Sequence, residues 1–131
     1  MTEKPTNPKD MIGVRKTSMS AVPSGPLQEL SLAMLEGALK YGRHNYRKAG
    51  VRSSIYYDAA MRHLMAWWEG EDVDPDSGIS HLVKAIACLV VVRDSELHGN
   101  INDDRPEPMK PGWITLLNDK AGEIIERYGS K

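Results

Sequence analysis

The sequence predicts an all-α protein, a bundle of packed helices, and three observations carry that expectation. Four segments repeat apolar residues at the spacing of a helix face. Cap and stop residues bracket them, with Pro26 and Gly42 around the first and Ser54 and Gly70 around the second. The first segment is apolar on two sides, which calls for two packing neighbours. The chain of 131 residues is expected to be one domain. Its parts are an N-terminal loop segment (1–25), core helices (26–98), a linker (100–112) and a C-terminal helix (113–128).

The opening stretch Asn7 to Lys16 shows no periodicity and reads as a cationic loop that closes over a ligand. The first helix is expected from about Pro26 to Tyr41, since proline suits a first turn and Gly42 suits a stop. Leu27, Leu30, Met34, Ala38 and Tyr41 form one apolar face, and Leu32, Leu35 and Leu39 another. Glu29, Glu36 and Lys40 fall in the wedge between. That wedge faces an internal cleft or subunit junction, or else it is an exposed stripe with an ordinary Glu36–Lys40 pair.

A second helix is expected from about Ser54 to Glu69, capped by Ser53 or Ser54. Asp58, Arg62, Met65 and Glu69 share one face; His63 lies on the opposite side and reads as a hydrogen-bonded core histidine. Asp58 and Arg62 are spaced for a salt bridge, unless the two helices form an antiparallel hairpin that brings Asp58 level with Glu36. The acidic turn Glu69 to Gly78 lacks the ligand order of a calcium-binding hand. A third helix, about Ile79 to Leu97, is the most apolar and should be the centre of the bundle. Its stripe of His81, Lys84, Cys88 and Ser95 puts a lysine where it snorkels or meets an anion. The last segment repeats Trp113, Leu116, Leu117, Ala121, Ile124, Ile125 and Tyr128 along one face, which would dock on its own bundle or on a neighbour's.

Bulk composition narrows the function. Net charge is -1, against a protein that coats nucleic acid. No apolar run is long enough to span a membrane and none opens the chain as a signal segment, so the expected location is the cytoplasm. The single cysteine, Cys88, excludes an internal disulfide and reads as a buried structural thiol.

Lone carboxylates on apolar helices need a cation or a proton. Glu36 and Asp58 are therefore the candidate metal ligands, and Lys40, Arg43, Arg47, Lys48 and Arg52 are placed to meet an anion. Carboxylates, metal and a cationic strip point to phosphate chemistry.

Several motifs occur in order: Asn7-Pro8-Lys9-Asp10, Glu36-Gly37-Ala38 with Lys40-Tyr41-Gly42 and Asn45-Tyr46, Arg62-His63-Leu64, Gly70-Glu71-Asp72, and Ser77-Gly78 before His81-Leu82. In these the chain resembles the phage dATP/dGTP diphosphohydrolases, a branch of the MazG-like all-α nucleotide pyrophosphohydrolases that includes the MazZ enzymes. The resemblance covers roughly residues 7 to 97. It implies an oligomeric MazG-like bundle, a homodimer or homotetramer, using Mg²⁺ or Mn²⁺. It also implies hydrolysis of a purine deoxynucleoside triphosphate, dGTP ahead of dATP, to monophosphate and pyrophosphate. MazG-like enzymes bear E-x-x-E and E-x-x-D pairs, whereas this chain reads Ala33-x-x-Glu36 and Ile55-x-x-Asp58. Metal ligation carries over only to Glu36 and Asp58, which with Lys40 form the expected catalytic set. Lys16, Arg43, Asn45, Arg62, Lys84 and His81 form the expected substrate-binding set, and Trp67-Trp68 or the N-terminal loop would supply the slab against a purine. A metal-dependent hydrolase of the HD type is a weak rival, because it requires a His-Asp dipeptide and the chain has none. A non-enzymatic helical phage protein that binds a nucleotide or partner is the alternative.

Overall fold

The computed structural model describes residues 7–129. Among them the chain is mostly helical: α1 (Pro8–Gly13), α2 (Ser24–Tyr41), α3 (Asn45–Ala49), α4 (Ser53–Trp68), α5 (His81–His98) and α6 (Trp113–Tyr128). Two two-residue strands, β1 (Val51–Arg52) and β2 (Ile101–Asn102), pair in parallel, Val51 opposite Ile101 and Arg52 opposite Asn102.

α4 and α5 pack along each other, and α2 packs on α5. Hydrogen bonding of His63 to His81 at one end and the shared cavity wall of Tyr56 and Cys88 further along make α4 and α5 antiparallel. The α2–α4 hairpin that would set Glu36 level with Asp58 is not the main contact; α5, which carries more buried side chains than α2 or α4 though it is not more apolar, takes both neighbours. Ala33 of α2 meets Ile79 and Val83 there, with Ala87 against them. Val51 is also buried, and hiding such a side chain contributes about 2 kcal/mol.

Two short helices stand where loops were expected. In α1, Asn7 Oδ1 accepts the Lys9 backbone N–H at 2.9 Å and Pro8 occupies the first turn, so capping replaces periodicity as the helix signal. In α3, Asn100 Nδ2 donates to the carbonyls of Tyr46 (2.8 Å) and Arg47 (2.7 Å), and Arg47 grips Asp94 of α5 with two hydrogen bonds. Gly50 follows at φ +84, where a Cβ would stand 3.3 Å from the Asn100 carbonyl. The cap of α4 is not Ser53 or Ser54. Asp104, fifty residues on, accepts from the Ser54 N–H at 2.8 Å and from its hydroxyl. Ser80 caps α5, its hydroxyl accepting from the Leu82 N–H at 3.2 Å.

The acidic turn is folded against the bundle. Asp74 N–H donates to Ile79 O at 2.9 Å and His81 N–H to Asp72 O at 2.9 Å, and Gly78 turns the chain at φ +73. No helix among the described residues is long and apolar enough to cross a membrane.

Candidate active site

A cavity of about 570 Å³ opens between α2, α3, α4 and α5. Its walls are apolar, with Met34, Leu35, Ala38, Ala87 and Val91, and three tyrosines, Tyr41, Tyr46 and Tyr56, stand around it. Arg43, His44, Asn45 and Lys84 supply the polar part of its lining. Such a volume with a few polar groups suits a small organic anion. His44 holds φ +55, a left-handed conformation that ends the α2–α3 turn and starts α3 at Asn45.

Lys84 joins this cavity to the wedge on α2. Its Nζ donates to Glu36 Oε1 at 2.6 Å, while Lys40 Nζ lies 3.7 Å from Glu36 Oε2. The hydrogen bond from Lys84 holds the Glu36 carboxyl below its ordinary value. The wedge is exposed at Glu29 and Lys40 and carries the i,i+4 pair, while half-buried Glu36 turns to α5, so that Glu36, Lys40 and Lys84 come together as one charged group.

Asp58 sits on the exposed side of α4 and Arg62 one turn on, with no salt bridge between them. Neither lines the cavity, and neither does Lys16, exposed after α1. No group of three or more His, Cys, Asp or Glu side chains is gathered for a metal among the described residues. Glu36 is held by Lys84 and Lys40 on α2, whereas Asp58 stands exposed on α4.

His81, expected to touch substrate, is buried at 5% exposure with both ring nitrogens engaged. Its Nε2 lies 2.6 Å from Glu71 Oε1, and its Nδ1 lies 2.8 Å from His63 Nδ1. A carboxylate only accepts, so His81 donates through Nε2 to Glu71, and across the Nδ1–Nδ1 contact one ring donates while the other accepts. Burial, followed by the His81 neighbour, pushes His63 below the ordinary histidine value. Nearby Asp74 has its charge opposed by burial, but the Asp76 N–H and the Ser77 hydroxyl outweigh this and lower its pKa. His63 is thus the hydrogen-bonded histidine its face suggested, and Glu71 is a partner that sequence spacing could not show.

Two further expectations resolve locally. The Trp67–Trp68 pair ends α4 with ring centroids 6.1 Å apart and does not line the cavity. The aromatic walls are the tyrosines, of which Tyr41 and Tyr46 flank the Gly42 turn. Burial pushes the Cys88 thiol up, away from reactivity, in line with a structural role.

Neither a curated protein nor a solved structure matches the chain. The model described as dATP/dGTP diphosphohydrolase, N-terminal, matches residues 6–105, a stretch that contains the cavity, the Glu36–Lys84 pair and the histidine relay. By that match over most of its length, the chain belongs to the dATP/dGTP diphosphohydrolase family, a family of hydrolases.

Proposed function

We propose that this protein hydrolyses a purine deoxynucleoside triphosphate, dGTP ahead of dATP, to the monophosphate and pyrophosphate. The observation that best supports this reading is the placing of Lys84, which lines the tyrosine-walled cavity and bonds Glu36 at 2.6 Å. A nucleoside fits an apolar aromatic slot, and its phosphates fit a cationic mouth beside carboxylates.

In this reading Tyr41, Tyr46 and Tyr56 enclose base and sugar, and Asn45 hydrogen-bonds a sugar or phosphate oxygen. Arg43, Lys84 and Lys40 hold phosphate charge, with Arg62 and Lys16 reaching the substrate from outside the cavity. Mg²⁺ or Mn²⁺, when bound, activates the attacking water and neutralises the leaving pyrophosphate. Glu36 and Asp58 are the residues that would hold it. Entry of the triphosphate would draw Lys84 from Glu36 onto phosphate, leaving Glu36 as an unpaired carboxylate able to hold the cation. Position and charge do the rest, as in other phosphoryl transfers.

The reading includes a homodimer or homotetramer working in the cytoplasm. Large apolar side chains of the described residues stand in water, Leu32 at 53%, Leu39 at 79% and Leu89 at 56% exposure. Such exposure supports assembly. Incubating the protein with each dNTP and Mg²⁺ or Mn²⁺, then separating products by anion exchange, tests the activity. The expected products from dGTP are dGMP and pyrophosphate; dGDP with orthophosphate, or deoxyguanosine with tripolyphosphate, refutes the mechanism. Faster cleavage of dATP overturns the preference alone.

A further inference from the structure

We infer that α6 is an exchange arm whose apolar stripe is covered by a second copy of this chain, seated in the groove at the end of that copy's α4. The stripe runs Trp113, Leu117, Ala121, Ile124 and Tyr128, with Leu116 and Ile125 beside it. The large apolar residues of α6 range from 42% to 77% exposed, although the helix is strongly amphipathic. Together they leave on the order of 700 Å² uncovered, close to the ~800 Å² that each partner contributes to a standard interface. A soluble helix does not keep such a stripe in water.

The body of the same chain leaves a matching surface open. Leu64, Met65, Trp67, Trp68 and Glu69 line an apolar groove of about 510 Å³, with Trp68 77% exposed. The arm starts elsewhere, because β2 and Asp104 tie the chain to β1 and to the first turn of α4 before the linker departs. It also lies beyond residues 6–105, the part shared with the family. The arm lies outside the matched N-terminal domain, and the groove lies inside it. Reciprocal exchange, each arm in the other copy's groove, closes a two-fold assembly and covers both apolar surfaces at once.

The proposal rests on the assembly reading above, and the test separates the two. The oligomeric mass is measured by light scattering for the wild-type chain, for Leu117→Asp with Ile124→Asp on the arm, and for Met65→Asp in the groove. Helix content by circular dichroism serves as the folding control. Both variants are expected to drop the mass by at least half while staying helical. A monomeric wild type overturns both the assembly and the arm; a wild-type oligomer that survives in the folded arm variant overturns the arm alone. Cross-linking identifies the occupant. In a Cys88→Ser background, Leu117→Cys chains and Met65→Cys chains are mixed and oxidised. A mixed product of twice the chain mass is expected. Self-cross-linked Leu117→Cys chains, or closure only within a chain carrying both cysteines, overturns the proposal.

Discussion

Lys84 Nζ donates to Glu36 Oε1 at 2.6 Å, tying α5 to α2 at the edge of the cavity. A lysine and a glutamate held together this way balance each other until an anion and a cation arrive together. Glu36→Gln keeps the shape and removes the charge. Turnover is expected to fall about 100-fold or more, and stability by about 2 kcal/mol, the scale of one hydrogen bond to a charged group. Steady-state rates and urea unfolding on the same preparation check both. A variant at the wild-type rate removes Glu36 from the chemistry.

Asp58 gives the complementary case, because it is exposed and has no salt bridge among the described residues. Asp58→Asn is expected to change stability by no more than about 0.5 kcal/mol, as for an ordinary surface site. Turnover is expected to fall about 100-fold, since the residue is assigned to the metal. Large destabilisation with turnover retained would reverse the assignment.

The long elements were legible because their signals are periodic. The expected spans from Pro26 and Ser54 and the helix 113–128 meet α2, α4 and α6 within a residue or two at most ends. α1 and α3 were not legible, since one or two turns show no period and both depend on caps; the α3 clamp comes from Asn100, more than fifty residues away. Part of the site was legible for the same reason. Glu36, Lys40 and Lys84 stood out as charges on apolar helices, and the structure brings them together. His81 shared the Lys84 stripe, but it is the first residue of α5, and there the folded acidic turn delivers Glu71 to its ring. That contact joins loop to helix, and spacing along one helix cannot report it.

The histidine relay makes stability depend on pH. Burial holds His63 below its ordinary value of 6.5, so unfolding takes up a proton in that range. The contribution of neutral His63 is full above pH 6.5 and is lost as pH falls toward the lowered folded value. Thermal melting between about pH 7.5 and about pH 5.5 is expected to show a falling midpoint, and His63→Asn to flatten part of that fall. A midpoint that rises on acidification contradicts a neutral His63.

Asp104 supports α4 from a distance. Its carboxylate accepts from the Ser54 N–H at 2.8 Å and from the Ser54 hydroxyl, satisfying a helix-end donor. Asp104→Ala is expected to cost about 1 kcal/mol, the usual value of a lost cap, and to lower the melting midpoint by about 4 °C. Differential scanning calorimetry reads the shift. An unchanged midpoint would leave the start of α4 held by the Val51–Ile101 strand pair.

The phosphorus that water attacks distinguishes pyrophosphate release from every other cleavage of the triphosphate. Hydrolysis of dGTP in ¹⁸O-labelled water, followed by mass spectrometry of the separated products, locates the attacked phosphorus. Attack at the α-phosphate predicts one labelled oxygen in dGMP and none in pyrophosphate; label in pyrophosphate, or release of orthophosphate in its place, would contradict it.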